Sequence, residues 1–240
     1  ADDAADEPRE IVEPDVIRRD GSLLYVLNQH RGLTIVDLAS KTALANVPTL
    51  GFPRDLYIDG GRAYVLVSYA SDYAAQGNTV AYSTASRLYV VDISDPAAAA
   101  IVSSFPLEGD LIDSRLVGDV LYAVSAELYW YWDGVAVAKG QTSNSWVTSV
   151  SIADESNIAA VDTETFPGAG TVIHATDTAL FVAAPDYGSD ATEITYVDIS
   201  DPNGAMTVRG TVAVPGQVAD RFKMDVYNGV LRVVSNAWSD

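Results

Sequence analysis

Two stretches of this 240-residue chain carry side chains at spacings that chemistry can use. In DYGSDATE (186–193), the carboxylates of Asp186, Asp190 and Glu193 flank Gly188, whose missing side chain permits a bend. Calcium collects roughly six to eight oxygens from such loops, so a calcium site is one reading and a solvated acidic loop the other. The order departs from the EF-hand pattern D-x-[DN]-x-[DN]-G. In AELYWYWDGV (126–135), strand alternation sends Leu128, Trp130 and Trp132 one way and Tyr129 and Tyr131 the other. Tyr129, Trp130, Tyr131 and Trp132, joined by Trp146, are the candidates for stacking on a sugar or docking a protein partner. The competing reading is an ordinary core buried on two sides.

The catalytic inventory is thin. The chain has no G-x-S-x-G elbow, P-loop, G-x-G-x-x-G or H-E-x-x-H. Its two histidines, His30 and His174, fall in a loop and in a short strand. A hydrolase or quinone-dependent oxidoreductase with its site in a central funnel would need convergent His, Arg and Asp there, for which Arg31, Arg54 and Arg115 are the available cations. No catalytic residue is assigned, and the reading leans away from an enzyme.

The elements that must position these residues are strands. LLYVLNQ (23–29), RAYVLVSY (62–69), RLYVVDI (87–93), VLYAVSA (120–126), ALFVAAP (179–185) and EITYVDI (193–199) are short runs of Val, Leu, Ile and Tyr. No amphipathic stretch with a 3.6-residue period exceeds two turns, so the class is all-β. The strands recur in a fixed order: a short strand, a tight turn such as RDG, DGG or YNG, a Tyr-Val strand, then LTIVDLAS, LYVVDISD, VTSVSIAD or ITYVDISD. A weaker apolar run closes each unit. Tyr25, Tyr64, Tyr122, Phe181 and Leu231 hold equivalent places, and four strands every roughly 40–60 residues is the period of a β-propeller blade. The phrase VDISDP, at 91–96 and again at 197–202, is read as scaffold. Asp and Ser accept backbone hydrogen bonds at the strand end, and Pro stops the strand. Asp37, Asp92 and Asp198 share one position, where the third copy has Ser151.

The pairing of G-D-x-L-Y-x-V (Gly118 to Val124) with L-x-V-V-D-I-S-D-P (Leu88 to Pro96) resembles secreted bacterial and archaeal β-propeller proteins distantly related to WD repeats, including those with LVIVD-type repeats. The resemblance covers about residues 15–240, implies the fold and a place outside the cytoplasm, and brings no catalytic motif. It also implies about six to eight blades, whereas the repeats make four full units and a half-blade at 218–240. The expectation is therefore part of a larger propeller, or one completed by a second chain.

Residues 1–14 read as an acidic extension or linker, with Asp2, Asp3, Asp6, Glu7, Glu10 and Glu13 among them. The net charge of −19 excludes nucleic acid as a partner class and disfavours anionic membrane surfaces. No run reaches the roughly 18 apolar residues of a membrane span, and the chain has no cysteine, so neither disulfides nor thiolate metal sites hold it. The expected function is a non-enzymatic module at the cell surface, in the periplasm or in the extracellular space. It would bind a protein or surface glycan through its inter-strand connections, of which 68–86 is a long insertion. The alternatives are an enzyme with a central-channel site and a structural subunit of a surface assembly.

Overall fold

The computed structural model describes residues 8–237 except 78, 128–142, 155, 171 and 187–188, with backbone alone for 72–74, 76 and 80–84. A short strand, β1 (Ile11–Val12), precedes four antiparallel sheets whose strands pair in sequence order. The first holds β2 (Ile17–Asp20), β3 (Leu23–Asn28), β4 (Gly32–Asp37) and β5 (Thr42–Val47). The second holds β6 (Phe52–Asp59), β7 (Arg62–Gln76), β8 (Thr79–Asp92) and β9 (Ala100–Leu107). The third holds β10 (Asp110–Val117), β11 (Val120–Ala126), β12 (Asn144–Ser151) and β13 (Ala159–Pro167). The fourth holds β14 (Val172–Ala175), β15 (Ala179–Asp186), β16 (Ala191–Asp198) and β17 (Thr207–Pro215). A 3-10 turn (Arg221–Lys223) then leads to a hairpin, β18 (Met224–Tyr227) and β19 (Val230–Val233).

The sheets stand side by side because every second strand is apolar on both faces. Tyr64 and Leu66 of β7 enter the core shared with the third sheet, whereas Ala63, Val65 and Val67 enter the core shared with the first. The same happens at β11, whose seven residues are all buried: Leu121 and Ala123 face the second sheet, Tyr122 and Val124 the fourth. A strand buried on two faces loses the apolar–polar alternation of a surface strand, and each fully buried aliphatic side chain contributes on the order of 1.5–3 kcal/mol. Among the described residues these cores join the sheets in series, one to two, two to three, three to four, and four to the β18–β19 hairpin. First strands of neighbouring sheets touch (β2 with β6, β6 with β10, β10 with β14), which lines them along a common axis. The result is an all-β propeller of four complete blades and a two-stranded fifth.

Local chemistry repeats with the blades. Four of the hairpins joining first and second strands put a positive φ on the first loop residue, at Gly21, Gly60, Gly118 and Asn228, where only Gly or Asn is at ease. At the strand ends, Asp92 accepts from Ser94 N (2.9 Å) and Ser94 Oγ (2.6 Å), Asp198 from Ser200 N (3.0 Å), and Asp37 from Ala39 N (3.0 Å). The third blade, with Ser151 at that position, keeps the later turn: Asp154 accepts from Ser156 N (2.9 Å), as Asp95 does from Ala97 N (3.0 Å). The VDISDP phrase is turn chemistry.

A second repeated device escaped the sequence reading. Ser86, Ser145 and Thr192 hold the same register on the third strands, opposite the ends of the fourth strands, and all three are buried. Ser86 Oγ donates to Gly109 O (2.8 Å) and accepts from Leu111 N (2.8 Å). Ser145 Oγ donates to Gly168 O (2.6 Å) and accepts from Gly170 N (2.7 Å), and Thr192 Oγ1 donates to Gly216 O (2.8 Å). Each hydroxyl thus satisfies the interior backbone where the chain passes to the next blade.

The acidic N-terminal region, expected as an extension or linker, contributes two residues to the third sheet. Ile11 and Val12 pair antiparallel with Val117 and Leu116 on the inner edge of β10, making the third sheet five-stranded. A strand of two residues carries no detectable alternation, but β10 offers an edge of backbone donors and acceptors that gains from a partner.

Candidate functional site

Antiparallel order sends all connections between second and third strands to one rim. That rim gathers His30 in the β3–β4 loop, the β7–β8 connection, the described ends of the third blade's connection (Glu127 and Ser143), and the described residues of the acidic β15–β16 turn. Tyr129, Trp130, Tyr131 and Trp132 lie outside the described residues. Trp146 is described: half-buried on β12, it pairs with Ser125 and Thr165, and its Cζ3 covers Gly109, where an added Cβ would meet it at 2.8 Å. Its ring is therefore partly committed to holding the rim of the third blade.

The acidic turn is bonded within itself and to the chain leaving β17. Asp186 Oδ2 accepts from Ser189 Oγ (2.6 Å), and the Asp190 carbonyl accepts from Gly216 N (2.7 Å). Glu193 sits on β16 opposite Ala184 and Ala213. Among the described residues no group of three or more His, Asp or Glu side chains is close enough to share an ion, and Gly188 is outside them.

The rim's dominant feature is the β7–β8 connection, which the sequence presented as an insertion. The two strands continue as a ribbon, pairing without interruption from Ala70↔Ala85 to Gln76↔Thr79. Their neighbours stop short: β6 leaves β7 at Ser68, and β9 leaves β8 at Ser86. At about 3.4 Å per residue, this arm reaches roughly 20 Å past the sheet. A bulge between Val67 and Ala70, with Tyr69 at φ 54, turns it at its base. There Phe52 and Tyr69 meet edge to face, with ring centroids 5.9 Å apart. Leu50 (62% exposed), Phe52 (51%) and Tyr69 (37%) leave an apolar surface beside the arm.

Two polar clusters lie nearer the axis. Between the second and third blades, Ser114 Oγ donates to Asp55 Oδ2 (2.5 Å) and meets Tyr57 OH (2.9 Å). Burial pushes the Asp55 carboxyl up to about 6, against the Ser114 hydrogen bond that favours its ionised form. Arg115 Nη1 pairs with Asp113 Oδ1 (2.6 Å) alongside. The set is closed in, with Asp55 8% exposed and Ser114 0%. Further along, a cavity of about 270 Å3 opens between β1, β10, β14 and the 3-10 turn, lined by Ile11, Glu13, Arg115, His174, Arg221 and Phe222 among others. Its charges are matched internally, Arg221 with Glu13 (3.0 Å) and Arg115 with Asp113. His174 stacks on Phe181 (6.4 Å between centroids), and burial lowers its pKa. Of the cations considered for a funnel, Arg115 reaches this cavity; Arg54 instead donates to Ile112 O (2.9 Å), and Arg31 is exposed in the β3–β4 loop.

A family model described as "Beta propeller domain" matches residues 9–135 and again 129–240. No curated protein matches. Among solved structures, one titled "Kuenenia stuttgartiensis Hydrazine Synthase" aligns at 15% identity and a TM-score of 0.37, covering 94% of this chain and 84% of that one.

Proposed function

Because the chain belongs to the β-propeller domain family, we propose that it is a non-enzymatic binding module, working outside the cytoplasm, that docks a protein partner on the arm and rim of its second and third blades. The observation that carries this reading is the arm itself. A lone two-stranded ribbon is marginal in water, and among the described residues this one is flanked by no third strand on either side. Such edges add a partner's strand through main-chain hydrogen bonds. In a chain of net charge −19, the segment 69–86 has Asp72 as its one charged residue, so the arm does not impose the chain's general repulsion on an incoming strand. Leu50, Phe52 and Tyr69 supply an apolar anchor at its base.

The test is a shortened arm in which an Asn-Gly turn joins Ala70 directly to Ala85, leaving the four blade cores intact. The expected result is unchanged unfolding by denaturant, with at least a tenfold loss of the protein that co-purifies with the full chain. Equal retention of that protein by both forms would contradict the proposal. Binding to surface glycans that survives shortening would move the site to the aromatic connection.

A second docking surface is favoured by the fifth blade. β18–β19 matches the first two strands of the other blades, yet Tyr227 (59%), Val230 (61%) and Val234 (61%) are exposed there. In the other blades a third strand pairs with the equivalent of β19, so a strand of the V-D-I-S-D type fits that edge.

A further inference from the structure

The inner edge of β10 is occupied, and its occupant is fixed at both ends. Arg9 Nη2 donates to the carbonyls of Asp177 and Ile199 in the fourth blade, and its aliphatic stem packs on Gly118, where an added Cβ would meet Arg9 Cδ at 3.4 Å. Gly118 N donates to Glu10 O (2.8 Å), extending the pairing of Ile11 and Val12 with the third blade. Glu13 then pairs with Arg221 ahead of the fifth hairpin (3.0 Å), and Leu56 N of the second blade donates to Asp15 O (2.9 Å). Within seven residues the chain contacts the second, third and fourth blades and the turn leading to the fifth, before entering β2 as the first. Pro8 and Pro14 bracket the segment, and proline cannot extend a strand ladder, which limits the pairing to the residues between them.

We propose that the inner edge of β10 is a strand-acceptor site whose ligand is an extended segment with an arginine two residues before a β-branched pair, supplied here in cis by Arg9, Ile11 and Val12. This segment acts as an axial clasp. It ties blades whose cores, among the described residues, join in series, and Ile11 and Glu13 form one wall of the cavity beside β10 and β14. Releasing it uncovers both the β10 edge and the cavity. Main-chain pairing supplies the adhesion, and Arg9, aimed at two carbonyls of the fourth blade, sets the register.

The test uses the full chain carrying Arg9→Glu, which sets a carboxylate against the carbonyls of Asp177 and Ile199, with Arg9→Ala as the milder companion should the first not fold. The Gly118 amide is expected to exchange its hydrogen at least tenfold faster in either variant, while the amides of β11 exchange as in the native chain. A labelled peptide of residues 8–14 is expected to bind the variant and not the native chain, whose site is filled. Unchanged exchange at Gly118, equal acceleration throughout the sheets, or equal peptide binding by native and variant chains would overturn the proposal.

Discussion

Asp55→Asn is expected to hold its stability between about pH 4 and pH 6, where the native chain loses about 3 kcal/mol to this one carboxyl. The unfolded carboxyl titrates near 4, whereas burial between the second and third blades lifts the folded value to about 6. Below about pH 4 both states are protonated and the group is neutral toward folding. As pH rises through the window the unfolded chain ionises first, so the folded state binds more protons and stability falls by about 1.4 kcal/mol per pH unit. Above about pH 6 the whole cost is present. Asn retains an acceptor for Ser114 Oγ and cannot ionise, so the variant should match the native chain near pH 4 and exceed it at pH 7. His174, whose pKa is lowered by burial, has the opposite sign: its contribution is present above the ordinary imidazole value and fades as pH falls. The comparison of the two chains cancels it. Denaturant midpoints at four pH values decide the matter, and parallel pH profiles would show that Asp55 is not the group responsible.

The second large effect is a contrast between two equivalent positions. Leu121 is fully buried between the second and third blades, and truncation to Ala should cost about 2–5 kcal/mol. Leu231, which the sequence set level with Tyr122, instead pairs with Val226 as Leu121 pairs with Leu116; it is only partly buried, with one neighbouring blade to pack on, so Leu231→Ala should cost about 1 kcal/mol or less. Chemical denaturation of both variants measures the difference directly. Similar losses would mean that the fifth hairpin is as enclosed as the complete blades.

The sequence carried most of the scaffold because the scaffold is repetitive. Turn residues at Gly21, Gly60, Gly118 and Asn228, and the Asp–Ser strand ends, recur with the blades, and each copy reinforces the reading of the others. What was hidden depends on contacts between repeats. Nothing in PRDLYID marks Asp55 as an interior acid, since its burial comes from Ser114 in the next blade. Ser86, Ser145 and Thr192 look like ordinary polar strand residues until the passing backbone they satisfy is in place. The clasp was missed because two paired residues are too few for a period, and because Glu10 and Glu13 disguise Ile11 and Val12 as part of an acidic tail. The arm was half legible: 68–86 was visible as extra length, but its continuous pairing around Gly77, at φ 61, was not.

Hydrogen exchange reads the role of the arm as a docking edge directly. The amides of 70–76 and 79–85 should be compared in the isolated chain and in the assembly purified from its native surroundings. In the isolated chain, those outside the β7–β8 ladder should exchange much faster than the amides of β11. In the assembly they should slow by at least tenfold while the blade cores stay unchanged. Identical exchange of the arm in both samples, with protection appearing elsewhere, would contradict the account.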